Sequence, residues 1–69
     1  MDTEVNQCRW EALNIALEQA QDPDRPVACR EFSLRVAVEI VQFFDDIDNY
    51  CNALEHIGKA AFALKQSTH

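Results

Sequence analysis

The stretch FFDDIDNY, residues 43–50, places three aspartates inside the longest apolar-patterned segment of the chain. No proline interrupts this segment from Val27 to about Lys65, and its apolar residues recur at alternating steps of four and three. Such a 3.5-residue period is the heptad pattern that keeps one stripe of a helix against a partner helix. The sequence therefore predicts one long helix, from residue 27 to about 65, that passes through the aspartates. The predicted stripe comprises Val36, Ile40, Phe43, Ile47, Tyr50, Leu54, Ile57, Ala61 and Leu64.

The strongest helix-breaking segment is QDPDRP, residues 21–26. Pro23 disfavours helical geometry at Asp22, and Pro26 suits the first turn of a following helix. A first helix should therefore run from about residue 3 to about residue 20. Together these features predict a single all-α domain, residues 1–69, built as a helical hairpin with a short first helix and a long second one.

The unequal helix lengths predict self-association. At 1.5 Å per residue the first helix is roughly 27 Å long and the second roughly 58 Å, so much of the second has no cover within the chain. A chain of 69 residues is also marginally stable by itself. We expect a two-fold homodimer that forms a four-helix bundle or a coiled-coil-like assembly, with parallel and antiparallel pairing both open. The predicted dimer seam is Ile47, Tyr50, Leu54, Ile57, Ala61 and Leu64; the alternative is that these residues form one face of a globular core.

The composition limits the possible partners. A formal net charge of −6 opposes direct binding to nucleic acid and favours a protein partner with a basic face. No apolar run approaches the ~20 residues that a membrane span needs. Three cysteines and no recognisable signal peptide predict reduced thiols in a cytoplasmic protein.

The aspartates belong to a strip of uncompensated negative charge. Between Val36 and Gly58 there are five acidic residues and neither Lys nor Arg. On the predicted helix the polar side chains follow steps of three and four opposite the seam, so that they present regularly spaced carboxylates, as DNA presents phosphates. We expect this strip to bind the partner, together with two arginines near the hinge; the alternative is a solvated face that keeps the protein soluble. The predicted partner-binding residues are Arg30, Arg35, Asp45, Asp48, Asn52 and Glu55.

No arrangement of residues indicates catalysis, a cofactor or a metal site. Cys51 and His56 are five residues apart and lack the paired spacing of a zinc site. Asp45, Asp46 and Asp48 lack the glycine-bearing loop that wraps calcium in an EF-hand. We therefore predict that the protein is not an enzyme.

Three segments carry a resemblance to a known family. The first helix ending in ALEQA (residues 16–20), the hinge DPDRP (22–26) and the acidic segment FFDDIDNYCNALEHIG (43–58) are together similar to the small acidic helical inhibitors of bacteriophages. The chain most nearly resembles the quorum-sensing anti-activator proteins of Pseudomonas phages. That resemblance implies a homodimer in the cytoplasm of a bacterial host, where it binds a LuxR-type transcriptional activator at its DNA-binding domain and blocks promoter engagement.

Two other functions fit the sequence. A cytoplasmic chaperone or adaptor could receive the amphipathic helix of a client on its apolar surface. An RNA-binding hairpin dimer is a third possibility, but the acidic composition and the absence of a basic stripe count against it.

Overall fold

A computed structural model describes residues 3–67 and folds them into three helices: α1 (Thr3–Ala20), α2 (Val27–Val41) and α3 (Ile47–Ser67). All the regular secondary structure of these residues is helical, which confirms the predicted all-α class. The first helix and the hinge after it lie where the sequence predicts them. The prediction of one long helix from 27 to 65 is wrong, because residues 42–46 separate it into α2 and α3.

The hinge between α1 and α2 is a tight turn held by its own backbone and one aspartate. The Gln21 amide donates to the carbonyl of Leu17 and closes the last turn of α1. Beyond it, the Asp22 carboxylate accepts a 2.9 Å hydrogen bond from the Asp24 amide. Pro26 then occupies the N-cap position of α2, so the chain reverses within six residues.

The break between α2 and α3 is produced by a helix cap inside FFDDIDNY. The carboxylate of Asp46 accepts hydrogen bonds of 3.0 and 2.9 Å from the backbone and side-chain amides of Asn49. An aspartate at the N-cap satisfies backbone donors that the first turn of a helix leaves free, so Asp46 begins a new helix. On the other side, Phe43 and Phe44 donate to carbonyls three residues back and tighten the end of α2. We call residues 42–46 the corner.

Each helix buries one face, with its residues spaced by three and four. Leu13 and Val41 are the largest fully buried side chains, and alanines fill much of the remaining core. Because alanine side chains are short, the three helices can approach each other closely. The buried faces are Leu13, Ala16, Leu17 and Ala20 on α1; Arg30, Ser33, Ala37 and Val41 on α2; and Ala53, Ile57, Ala60 and Leu64 on α3.

The helices run up, down and up. The Trp10 indole donates a 2.9 Å hydrogen bond to Asn49, which joins the first half of α1 to the start of α3. At the opposite end, Arg30 at the start of α2 contacts Ala20 and Ser67, the last residues of α1 and α3. The molecule therefore has a corner end, at residues 42–46, and a hinge end, at residues 21–26.

The predicted dimer seam is divided by this packing. Ile57 and Leu64 are buried within the chain, and Tyr50 is half-buried, because α3 folds back on α1 and α2. The expectation that the whole stripe lacks an intrachain partner is therefore wrong. The other half of the seam stays on the surface, with Ile47 70% exposed, Leu54 42% exposed and Ala61 half-buried.

Candidate protein-binding surface

The three aspartates of FFDDIDNY have three different roles. Asp45 lies 3.5 Å from Arg9 of α1, in a surface ion pair whose aspartate side chain is 89% exposed. Asp46 caps α3 through Asn49. Asp48 is exposed in the first turn of α3, and its carboxylate has no hydrogen-bond or ion-pair partner among residues 3–67. Of the three carboxylates, that of Asp48 is thus the most available to another molecule.

The cap also affects the acidity of Asp46. The side-chain amide of Asn49, and then its backbone amide, donate hydrogen bonds that lower the pKa of the Asp46 carboxyl below its usual value. These bonds stabilise the charged form, which is the form that caps best. Asp46 therefore remains ionised while it holds the corner.

The polar strip predicted beyond the corner is present on the outer surface of α3. Asp48, Asn52 and Glu55 are all exposed, and their spacing of four and three places them on one face. Asp45 precedes this helix and extends the strip into the corner. The strip therefore bends at its start, whereas the sequence predicts a straight rod.

The two arginines of the predicted site lie elsewhere. Arg30 is only 4% exposed: its Nε donates a 2.8 Å hydrogen bond to the Ala20 carbonyl, and Nη2 lies 3.5 Å from the Ser67 hydroxyl. The expectation that Arg30 offers itself at an exposed helix end is wrong, since its guanidinium caps the C-terminus of α1. Arg35 is exposed, but it lines a groove with Leu64 in the hinge half of the bundle. The six predicted residues do not form one continuous site.

Charge is distributed unevenly along the bundle. The residues in and around the corner end, 4–11 and 36–48, include six acidic residues and one basic residue, a net charge of −5. The residues in and around the hinge end, 12–35 and 57–67, include four acidic and five basic residues, a net charge of +1. Sequence order does not reveal this polarity, because the break in the predicted long helix is what brings the two C-terminal lysines beside the hinge.

Two large apolar side chains project among the acids of the corner end. Phe43 is 64% exposed and Ile47 is 70% exposed, whereas neighbouring Phe44 is 6% exposed and packs on Trp10 with ring centroids 5.1 Å apart. Exposed aromatic and aliphatic side chains within a polar rim are typical of protein-binding surfaces. Sequence periodicity assigns Phe43 and Ile47 to the apolar stripe of the long helix, and Ile47 also to the dimer seam, and so misses this combination with the acids.

An apolar groove lies between α2 and α3, on the side of the bundle away from the corner. It has a volume of about 400 Å³ and is lined by Leu34, Val38 and Leu64, with Glu31 and Arg35 at its rim. Its walls are two helices, and its shape is open rather than enclosed. Such a groove suits an apolar side chain of another helix better than a small molecule.

The remaining polar cluster is structural. The rings of His56 and Trp10 are packed at 71° to each other with centroids 5.6 Å apart, and His56 Nδ1 lies 2.7 Å from the Asn52 carbonyl oxygen. Among the residues the structure describes, no three His, Cys, Asp or Glu side chains are grouped so as to hold a metal ion. Within the same residues, each helix is too short or too polar to cross a membrane.

Comparison with known proteins identifies no relative: no protein-family model, no curated protein and no solved structure matches the chain. The assignment of function therefore depends on the surfaces described above.

Proposed function

We propose that this protein is a small dimeric inhibitor that binds the basic, DNA-contacting face of a host protein in the bacterial cytoplasm. The family resemblance points to a LuxR-type quorum-sensing activator as the host protein. Binding would occlude the surface that the activator uses to engage its promoter.

The observation that carries this proposal is the acidic corner end with its exposed Phe43 and Ile47. A net charge of −5 at one end attracts a basic surface over long range and speeds association. Charge alone gives weak and unselective binding, whereas large apolar side chains provide contacts that persist after docking. Asp45, Asp48, Asn52 and Glu55 supply the polar contacts around them.

The charge of the surface also fits competition with DNA. A LuxR-type DNA-binding domain contacts phosphates through Lys and Arg, and those side chains can pair with carboxylates instead. On α3, Asp48 and Glu55 are seven residues apart, which places them about 10.5 Å from each other along the helix axis. An inhibitor of this kind needs no pocket and no cofactor.

The experiment that tests the proposal is direct binding of the fluorescently labelled protein to a purified LuxR-type DNA-binding domain. We expect anisotropy to rise on binding, and affinity to fall steeply between about 50 and 200 mM salt, because screening weakens exposed charge pairs. Unlabelled promoter DNA should displace the labelled protein. Binding that promoter DNA does not displace would contradict occlusion of the DNA-contacting face.

A second function is favoured by the α2–α3 groove. An adaptor would receive an apolar helix of its client over Leu34, Val38 and Leu64. The same anisotropy experiment separates the two functions, since groove binding depends on apolar burial and should change little with salt.

A further inference from the structure

The outer flank of α3 carries an exposed stripe that is separate from the buried face of this helix. Its members follow steps of four and three, so they lie along one side of the helix for its whole length. All are exposed except Ala61, which is half-buried, and the only charged member is at the C-terminal end. We call this the outer stripe: Ile47, Cys51, Leu54, Gly58, Ala61 and Lys65.

The outer stripe is part of a surface that is large for so small a protein. A monomer of 7.9 kDa typically exposes about 4,400 Å², whereas this protomer exposes 4936 Å². The stripe also adjoins the α2–α3 groove, because Ala61 precedes Leu64 by one helical turn. A contact about 30 Å long and about 20 Å wide would cover about 600 Å² of each copy, the lower end of the range for specific interfaces.

We propose that the outer stripe binds the same stripe of a second copy, with the two α3 helices antiparallel and Leu54 of each copy over Gly58 of the other. This inference rests on the dimer of the proposed function and adds to it the face, the direction and the register.

The register follows from the spacing of the stripe residues, which is the same when the helix is read in the opposite direction. A two-fold axis beside residue 56 places position 54 opposite 58, position 51 opposite 61 and position 47 opposite 65. Every stripe position then meets another: Leu54 faces the smaller Gly58, Cys51 faces the smaller Ala61, and Ile47 faces Lys65 at the ends of the contact. At Gly58 an added Cβ would have no side chain and no neighbouring helix within 4 Å, so the surface there is open to a side chain of the second copy.

The direction follows from the charge polarity of the bundle. Antiparallel α3 helices place the two corner ends, each with a net charge of −5, at opposite ends of the dimer. Parallel helices would place them side by side, where like charges repel. The two acidic corners then remain free at the outer ends.

Disulfide trapping through the native Cys51 tests both direction and register. In a background with Cys8→Ser and Cys29→Ser, Cys51 of two antiparallel copies would be separated by about ten residues, or about 15 Å along the axis. A disulfide requires Cα atoms within about 7 Å. We therefore expect mild oxidation to leave this variant uncrosslinked, while the same variant with Ala61→Cys forms covalent dimers. Cys51 and residue 61 of one chain are equally far apart, so the bond cannot form within a protomer.

Three results would overturn the inference. Efficient crosslinking through Cys51 alone would indicate parallel helices. A dimer in sedimentation that neither variant crosslinks would indicate another face. A protein that sediments as a monomer at micromolar concentration would exclude the interface. None of these measurements requires the host protein, so failure of the dimer is distinguishable from failure of the proposed inhibition.

Substitution at Gly58 supplies an independent test. Gly58→Leu meets open space within the protomer, so the monomer should fold, but it fills the site that Leu54 of the second copy would occupy. We expect the dimer dissociation constant to rise about tenfold or more, as overpacking of a close contact does. Asn52→Leu, on the same helix but outside the stripe, is the matched control and should leave that constant unchanged. Tighter dimers of Gly58→Leu would contradict the close approach at this residue.

Discussion

Replacing Arg30 by methionine should destabilise the protein, although arginine side chains are usually exposed and their replacement usually changes stability little. Arg30 is 4% exposed, and its guanidinium has no carboxylate partner among the described residues; it donates instead to the Ala20 carbonyl at 2.8 Å. This carbonyl belongs to the last turn of α1, where free acceptors accumulate and a cation is favourable. Methionine has a similar length and is apolar, so it preserves much of the packing and removes the donors.

The expected loss can be estimated from these contacts. A hydrogen bond from a charged donor is worth about 1.5–3 kcal/mol. The cation at the helix C-terminus adds about 0.3–1 kcal/mol. Retained apolar packing by methionine offsets part of this, so we expect Arg30→Met to lower the free energy of unfolding by about 2 kcal/mol. The free energy of unfolding of Arg30→Lys should lie between those of the wild type and Arg30→Met, because the ammonium group keeps the charge but lacks the planar array of donors of a guanidinium.

Urea denaturation followed by circular dichroism measures the effect. For an m-value of about 1 kcal/mol/M, a loss of 2 kcal/mol moves the midpoint by about 2 M. Arg35→Met is the matched control, since Arg35 lies on the same helix and is exposed; its change should stay within about 0.5 kcal/mol. Equal midpoints for Arg30→Met and Arg35→Met would refute the capping role of Arg30.

Two further substitutions test local features. Gly58→Ala should raise the free energy of unfolding by about 1 kcal/mol and the thermal midpoint by about 4–8 °C, because alanine is the better helix former and its Cβ meets open space. The midpoint is measured at a concentration where the protein is monomeric. An unchanged midpoint would contradict a solvent-exposed helix at this position. Asp46→Asn keeps a capping oxygen but cannot ionise. The folded-state pKa of Asp46 is lowered from 3.8, so the wild type should lose stability relative to this variant as the pH falls below about 3.8 and through the folded-state pKa. Parallel acid-denaturation curves for the two proteins would contradict the cap.

The parts of the fold that local sequence signals control could be predicted. Residues 3–20 contain neither Gly nor Pro, and two prolines then stop the helix and turn the chain. Both the position of α1 and the hinge follow from these signals because backbone geometry at proline is restricted whatever surrounds it. The all-α class follows from the same scarcity of helix breakers.

The corner could not be predicted by periodicity, because apolar residues continue across it at helical spacing. The continuous helix predicted from the sequence places Phe43 on its apolar stripe, whereas in the structure Phe43 points outward and Phe44 turns inward onto Trp10. Asp46 followed three residues later by Asn49 was the available signal, since this spacing suits an N-cap and its third helical residue.

Only part of the candidate surface could be predicted from the sequence, for a related reason. Carboxylates on one helix, such as Asp48 and Glu55, can be assigned to a face from spacing alone. The burial of Arg30 and the pairing of Arg9 with Asp45 depend instead on contacts between distant segments, which no local pattern encodes. Because charged residues are rarely buried, the residue type predicts an exposed side chain for Arg30.

The measurement that tests the central claim most directly compares two charge reversals of equal size in the anisotropy assay with a LuxR-type DNA-binding domain. Asp45→Lys with Asp48→Lys reverses charge at the corner end, and Glu18→Lys with Glu31→Lys reverses it at the hinge end; all four residues are exposed. Circular dichroism first establishes that both variants keep the helical content of the wild type.

We expect the corner variant to lose at least about a hundredfold in affinity, as two close charge pairs turn repulsive, and the hinge variant to lose tenfold or less through the change in net charge. A corner variant that still binds as tightly as the hinge variant, and still releases its partner to promoter DNA, would contradict the claim that the acidic corner is the inhibitory surface.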